Sequence, residues 1–337
     1  MECGHEKGEF MKICLIGNME GNVDEGMKKV TFNIYNIIKQ QNKTLLLNPY
    51  NIKSVKFWKD YINFRPEIVH YLTGPSVYSF FLVRLLTVLS PGSKSIITAS
   101  HPNVKSQFLI KKFKINRIVT HSNKYETFFK TMGFNTKFIP NGVDLSSYKK
   151  ISKKQKEELR EKYSIPSNKF VVLHVGNILK ERNISILDKF QTGNNQVLIV
   201  GSTSIPVDDN LRNELKNSGC LVYTHYIEKI HEIYQLSDCY IFPTVEQIRA
   251  IEIPLSVLEA MACNLPVIST RFGGLPSLFT EGKGLFFIDS FETIDAILSD
   301  IKSNDILIDT VSLVKNLSWE NIGEELNELY RRLKEEI

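Results

Sequence analysis

No run of this 337-residue chain is long and apolar enough to cross a membrane. The nearest, YLTGPSVYSFFLVRLLTVLS, is broken by Gly74, Pro75 and Arg84, whereas a spanning helix needs about 20 uninterrupted apolar residues. Cysteine is sparse: Cys3, Cys14, Cys220, Cys239 and Cys263 are odd in number and lack paired spacing. That pattern excludes a zinc-ligand motif or a disulfide framework and fits buried thiols in a reducing cytoplasm. His5 joins Cys3 in no metal motif. The opening MECGHEKGEF is polar and mixed in charge, unlike a secretory leader; the strand-like MKICLIG after it points to Met11 as the native start, with residues 1–10 an extension. There is no Asp-x-Asp pair to offer a metal clamp, no short repeat and no low-complexity tract. The glycines of GNMEGN lack the G-x-G-x-x-G spacing, and no acidic residue plainly ends the second strand, which argues against a nicotinamide dehydrogenase.

What is present is an ordinary globular composition, 42% hydrophobic and 23% charged, in a chain longer than one core usually supports, so two domains are expected. Short β-rich runs alternate with helix-period runs: KICLIG, KTLLLN, PEIVHYL, KSIITASH, RIVTHS and TKFIPNGV in the first half, with a Lys-rich helix expected between KSIITASH and RIVTHS. A second series runs through KFVVLHVGN, NQVLIVG, GCLVYTHYI, DCYIFPT and GLFFID. Such alternation predicts parallel sheets covered on both faces. The Lys-rich segment around residues 144–168, with Pro166, reads as a surface crossover between domains. Charge is split: residues 1–150 carry 22 Lys and Arg against 10 Asp and Glu (+12), residues 151–337 carry 20 against 27 (−7). The basic half invites an anionic partner, a membrane surface or phosphate-bearing acceptor ahead of nucleic acid.

Ligands of open parallel sheets sit beyond the carboxyl ends of the strands. The loops to inspect therefore follow strands, and AIEIPLSVLEAMACNLPVISTRFGGLP is the richest of them. Pro254 suits the first position of a helix. The N–H groups of Leu255, Ser256 and Val257 then lack internal partners and, with the helix dipole, form an anion site suited to phosphate. Glu259, one turn further on, suits the paired hydroxyls of a ribose.

These residues resemble the signature segment of the family 4 glycosyltransferases, retaining enzymes of the GT-B fold. IPNGVDLSSY, LHVGNILKER, YQLSDCYIFPT and LSWENIGEELNELYRRL resemble other segments of that family, in its order. The likeness extends from Met11 onward, specific in the second half and looser in the first. It implies an α/β protein of GT-B architecture, two Rossmann-like doubly wound parallel-sheet domains facing across a cleft. Residues 11–150 would form the acceptor-side domain, 151–317 the donor-side domain, and the helix over 318–337 would pack back on the first. The implied activity is transfer of a sugar from a nucleotide-diphosphate sugar to a hydroxyl of a glycan, a lipid-linked or a small-molecule acceptor. Retention is implied, with no metal or other cofactor and no nucleic acid partner. A cytoplasmic protein, in peripheral contact with the anionic inner face of the membrane, is expected.

Residue by residue, the resemblance gives Glu259 the donor ribose, Arg182 the diphosphate, and His101 a place near the donor sugar. Gly26 matches the second glycine of the first-domain phosphate loop, with Glu25 in place of the first. Tyr226 and Ile227 fall where the base is cradled. Two positions depart from the family: Asn177 stands where an arginine is usual, and Ile251 where the first of two paired glutamates is usual. A one-residue shift of the loop is expected to let Glu252 serve the sugar hydroxyls. These departures keep two alternatives open, a nucleotide-sugar-binding protein that has lost catalysis and a GT-B-type nucleotide-sugar epimerase or hydrolase.

Overall fold

The computed structural model describes residues 10–102, 104, 106–246, 250–303 and 306–336. Expectations for Cys3, His5 and the native start fall mainly outside them. Two six-stranded sheets are present. The first contains β1 (Lys12–Ile16), β2 (Lys43–Leu47), β3 (Ile68–Tyr71), β4 (Lys94–Thr98), β5 (Arg117–Thr120) and β6 (Thr136–Phe138), in the order β2-β1-β3-β4-β5-β6. The second contains β7 (Phe170–Val175), β8 (Asn195–Val200), β9 (Leu221–Tyr223), β10 (Cys239–Phe242), β11 (Val267–Thr270) and β12 (Leu285–Ile288), in the order β12-β11-β10-β7-β8-β9. Every ladder between them is parallel. Parallel strands covered by helices on both faces bury both sets of side chains, which is why their sequences read as unbroken apolar runs rather than alternating ones. Ile13 to Ile16 of β1 and Val171 to Leu173 of β7 are fully buried.

Strand order reverses between β1 and β3 in one sheet and between β7 and β10 in the other. In doubly wound sheets the ligand crevice opens at such switch points, beyond the carboxyl ends. The loops there are those after Ile16, Tyr71, Val175 and Phe242, two from each sheet.

The terminal helix, Trp319–Glu335, returns to the first sheet. Its Ile322, Leu326, Leu329 and Leu333 form a buried stripe against Val30, Ile34 and Ile38 of the helix Gly26–Gln41. Gly323 permits the approach, since a side chain there would collide with Ile37. Asn42 donates to Asn327 Oδ1 at 2.8 Å, and His70 Nδ1 lies 2.7 Å from Tyr330 Oη. Outgoing and returning chain segments also bond each other, Val143 N donating to Leu317 O at 2.8 Å.

Three local expectations change. The crossover contains a helix, Lys153–Lys162, started by a capping box between Ser152 and Gln155. With Leu159 as its main apolar residue it offers little periodicity, and it is anchored by buried Arg160, which donates to Asp238 Oδ2 at 2.5 Å. The Lys-rich helix after β4 is only Gln107–Ile110. The strand expected through GCLVYTHYI is confined to β9, because its later residues turn into the interdomain cleft. Cys14, Cys220, Cys239 and Cys263 are free and buried.

Candidate active site

A cleft of about 920 Å³ lies between the two sheets and receives residues from both. Of the expected site residues, Gly26, His101, Asn177, Arg182, Tyr226, Ile227, Leu255, Ser256 and Glu259 line it. Glu252 and Val257 are not among the lining residues.

On the second-domain wall, β7 ends at Val175 and the chain turns through Gly176 and Asn177 into a short 3-10 turn, Lys180–Arg182. Gly176 has no side chain, and a methyl group there would lie 3.0 Å from both Arg182 Nη2 and His174 Nε2. The guanidinium is therefore folded back over the strand end, 5.5 Å from the centroid of Phe242, in a cation–π contact. Burial draws the Arg182 pKa down, with Tyr240 opposing, yet a guanidinium keeps its charge in a protein. Beside it the helix Leu255–Ala262 begins, with Pro254 as its N-cap rather than its first helical residue. Val257 N donates to Pro254 O at 3.2 Å and the Val257 side chain is in the core, so the expected trio of amides reduces to Leu255 and Ser256 at the cleft.

Glu259 lies one turn along this helix and is 5% exposed. Its Oε2 accepts from Tyr234 Oη at 2.8 Å, and its Oε1 from Lys29 Nζ at 2.5 Å. Lys29 belongs to the first domain. It also donates to Tyr148 Oη at 2.8 Å and stands 5.1 Å from that ring's centroid. The pair thus joins the walls of the cleft.

On the first-domain wall, Glu25 caps the helix Gly26–Gln41, accepting from Met27 N and Lys28 N at 3.1 Å each. The negative charge where a phosphate loop usually has glycine is turned onto its own helix. Asp24, next to it, crosses the cleft: its carboxylate accepts from Thr203 N and Thr203 Oγ1 at 2.6 Å and from Ser204 Oγ at 2.8 Å. Burial opposes ionisation of Asp24, but these bonds hold its pKa below the ordinary value. His101 follows β4, its N–H donating to Gly74 O at 3.2 Å. Burial lowers its pKa, against a smaller opposing effect of Glu25, so the imidazole is neutral near pH 7.

The expected shift that would bring Glu252 to the sugar is not adopted. Glu252 N donates to Ser100 O at 2.8 Å and Glu252 O accepts from Gly274 N at 2.7 Å. Those bonds fix the register, burying Glu252 at 1% exposure and leaving Ile251 in the cleft. A Cβ at Gly26 would lie 3.2 Å from Ile251 Cδ1, so the apolar side chain seals against the first-domain loop.

Sequence reasoning missed Lys29, Tyr148, Tyr234 and Asp24. Tyr148 and Tyr234 stand inside the segments IPNGVDLSSY and YQLSDCYIFPT, which carry a readable signal. Lys29 is one of two adjacent lysines, and only the buried stripe of its helix sets which faces the cleft.

The model of the family described as Glycosyl transferases group 1 matches residues 155–328, more than half of the chain. The chain belongs to this family. Among curated proteins, the alpha-monoglucosyldiacylglycerol synthase of Acholeplasma laidlawii is 26% identical over 200 residues, covering 56% of this chain and 49% of that protein. The chain spans about half or less of the length of such curated relatives. Among solved structures, a glycosyltransferase from Rickettsia africae ESF-5 matches with a TM-score of 0.76 at 16% identity, covering 97% of this chain and all of that one. Anabaena HepE in complex with UDP-glucose matches with a TM-score of 0.74 at 16% identity, over 96% of this chain and all of that one. The group 1 member described here has the GT-B fold of these structures.

Proposed function

We propose that this group 1 protein is a retaining, family 4 glycosyltransferase that moves a sugar from a nucleotide-diphosphate sugar to a hydroxyl, without a metal. The observation that carries the proposal is the cleft at both switch points, with Arg182 and the amides of Leu255 and Ser256 on one wall. The barrier is departure of a diphosphate with build-up of oxocarbenium charge. Arg182 and the helix N-terminus would stabilise charge on the leaving phosphate, where preorganised donors act most strongly. Glu259 would hold the ribose, Tyr226 and Ile227 the base, and neutral His101 a donor hydroxyl or the passing acceptor proton. Asn177 supplies no second cation, so Arg182 carries more of that task. Ile251 makes the sugar side of the cleft less polar than a glutamate would. Metal independence rests on the missing Asp-x-Asp pair.

The acceptor is a glycan, a lipid-linked or a small molecule, met by a cytoplasmic protein touching an anionic membrane surface. The likeness to HepE, whose structure holds UDP-glucose, supports the donor class, and the likeness to the alpha-monoglucosyldiacylglycerol synthase supports a lipid among the acceptors. A thermal-shift panel of nucleotide-sugars tests it, since a ligand at 100 times its Kd stabilises by about 2.7 kcal/mol. No shift with any nucleotide-sugar would overturn the reading. With a stabilising donor in hand, product from donor plus acceptor, its anomeric configuration kept, is the expected result. Donor consumed equally without acceptor would favour an epimerase or hydrolase. Binding without turnover would favour a protein that has lost catalysis, a reading that Ile251 and Asn177 keep in play.

A further inference from the structure

The first domain carries a surface that its catalytic reading does not use. From Ile68 to Tyr125 the sequence has no Asp or Glu, against eight Lys and Arg. Within this acid-free stretch the helix Val77–Leu89 buries one face, Phe80, Leu82, Val83 and Leu86. Its other face leaves large apolar side chains in solvent: Tyr78 (42% exposed), Phe81 (51%), Val88 (56%) and Leu89 (44%). The adjoining helix Gln107–Ile110 adds Phe108 (71%) and Leu109 (43%). A core helix of a soluble domain shows charged residues on that face; here Arg84 is the only charged side chain in the helix.

Cations frame the apolar stripe. Exposed Lys111 and Lys112 follow Phe108 and Leu109, with Lys112 Nζ 4.5 Å from the Phe108 ring centroid. Arg84, Lys94 and Lys114 line a surface pocket of about 350 Å³ whose other walls include Ser93, Ser95 and Asn116, with Lys94 Nζ donating to Glu336 O at the end of the terminal helix. Arg84, Lys111, Lys112 and Lys114 form no ion pair among the described residues. Aromatic and aliphatic side chains standing out beside unpaired cations are the composition of an interfacial membrane-binding surface.

We infer that this face seats the first domain on an anionic lipid bilayer. Phe81, Phe108 and their neighbours enter the headgroup region, and Arg84 and Lys114 at the pocket take a lipid phosphate. The surface deepens the proposed function, on which its consequence for the acceptor rests. Phe108 follows His101 in the cleft by seven positions, at most about 25 Å of extended chain. A membrane-anchored acceptor therefore reaches the reacting centre without leaving the bilayer, and the acceptor class is lipid-linked.

The test is co-sedimentation of the full chain with phosphatidylcholine vesicles and with mixed phosphatidylcholine–phosphatidylglycerol vesicles, with sedimentation velocity of the protein alone. Binding is expected to the anionic vesicles only. Arg84→Gln with Lys114→Gln should weaken it about 25-fold, at about five-fold per cation. Phe81→Ser with Phe108→Ser should weaken it again while thermal unfolding stays within a few degrees of wild type, because both rings are exposed. The inference is overturned by no binding to anionic vesicles or by binding that both double variants leave intact. It is equally overturned if the protein alone self-associates and the phenylalanine variant is monomeric, since the face would then join two copies. Nucleotide-sugar thermal shifts, measured without vesicles, separate the two proposals: shifts without vesicle binding defeat the surface alone, and vesicle binding without shifts defeats the transferase reading alone.

Discussion

Glu259 is a ribose ligand in the proposed function and one half of a cross-cleft ion pair in the structure, and two substitutions pull those roles apart. Glu259→Gln keeps the side-chain shape but removes the charge that receives Lys29 and Tyr234. A hydrogen bond to a charged group contributes about 1.5–3 kcal/mol, so nucleotide affinity should fall roughly 10- to 150-fold. Folding should suffer less. The Lys29 side chain is 24% exposed and can turn to water, and a pair so placed contributes about 1 kcal/mol or less. Lys29→Met breaks the same pair from the other side. It removes the countercharge from the buried carboxylate and leaves it only the neutral hydroxyls of Tyr234 and Tyr148, so the stability cost should be larger, up to about 3 kcal/mol. Nucleotide affinity should hold or tighten, because Lys29 no longer competes for Oε1. Calorimetric titration with UDP and GDP, beside urea unfolding of each variant, reads both quantities. The reasoning predicts a crossed pattern: Glu259→Gln worse in binding, Lys29→Met worse in stability. Lys29→Met losing as much affinity as Glu259→Gln would refute the ribose assignment, as would Glu259→Gln binding nucleotide like wild type.

Three further outcomes are expected. Arg182→Ala should depress kcat by far more than it raises KM, because charge on the leaving phosphate peaks in the transition state; an unchanged kcat in steady-state kinetics would reject that role. His70, His121 and His174 are buried, and burial holds their pKa values at about 3, about 4 and about 4, below the ordinary 6.5. The unfolded chain therefore binds more protons between those values and 6.5, so stability is full above pH 6.5 and falls as pH drops toward 4. Each histidine should cost about 1.4 kcal/mol per pH unit in that window, and a flat urea-unfolding free energy between pH 6.5 and 5 would contradict it. Gly142→Ala places a methyl group 2.7 Å from Trp319 Cδ2 and 3.0 Å from its Cα. That overpacking, where outgoing and returning chain segments meet, should cost about 1–3 kcal/mol, seen as a lower Tm.

The sheets were legible because a buried parallel strand must be continuously apolar, and KICLIG and KFVVLHVGN are so. The helix Leu255–Ala262 was legible through Pro254 and its apolar run, and its first residues do reach the cleft. What escaped the sequence were features set by contacts between distant residues. The conformation at Glu252 is fixed by bonds to Ser100 and Gly274, about 150 residues before and about 20 after it, so local spacing alone could not show that Ile251, and not Glu252, lines the cleft. The helix Lys153–Lys162 is held by Arg160 against Asp238, and no apolar stripe announces it.

The contacts that escaped are mostly those that join the two walls. Lys29 reaches Glu259, and Asp24 reaches Thr203 and Ser204. Both links are polar and border the cleft, whereas the sheets are held by apolar cores on either face. Polar groups bordering a cleft can exchange protein partners for ligand groups that hydrogen-bond in their place, while a core opens only with large exposure of apolar area. The walls are therefore the part of the molecule that can adjust to a substrate with both domains intact. In the proposed function that adjustment is directed: a ribose at Glu259 takes over an oxygen now held by Lys29 and frees a cation on the first-domain wall. Under that proposal, donor binding would change the charge facing the acceptor side and couple the two substrates through Lys29.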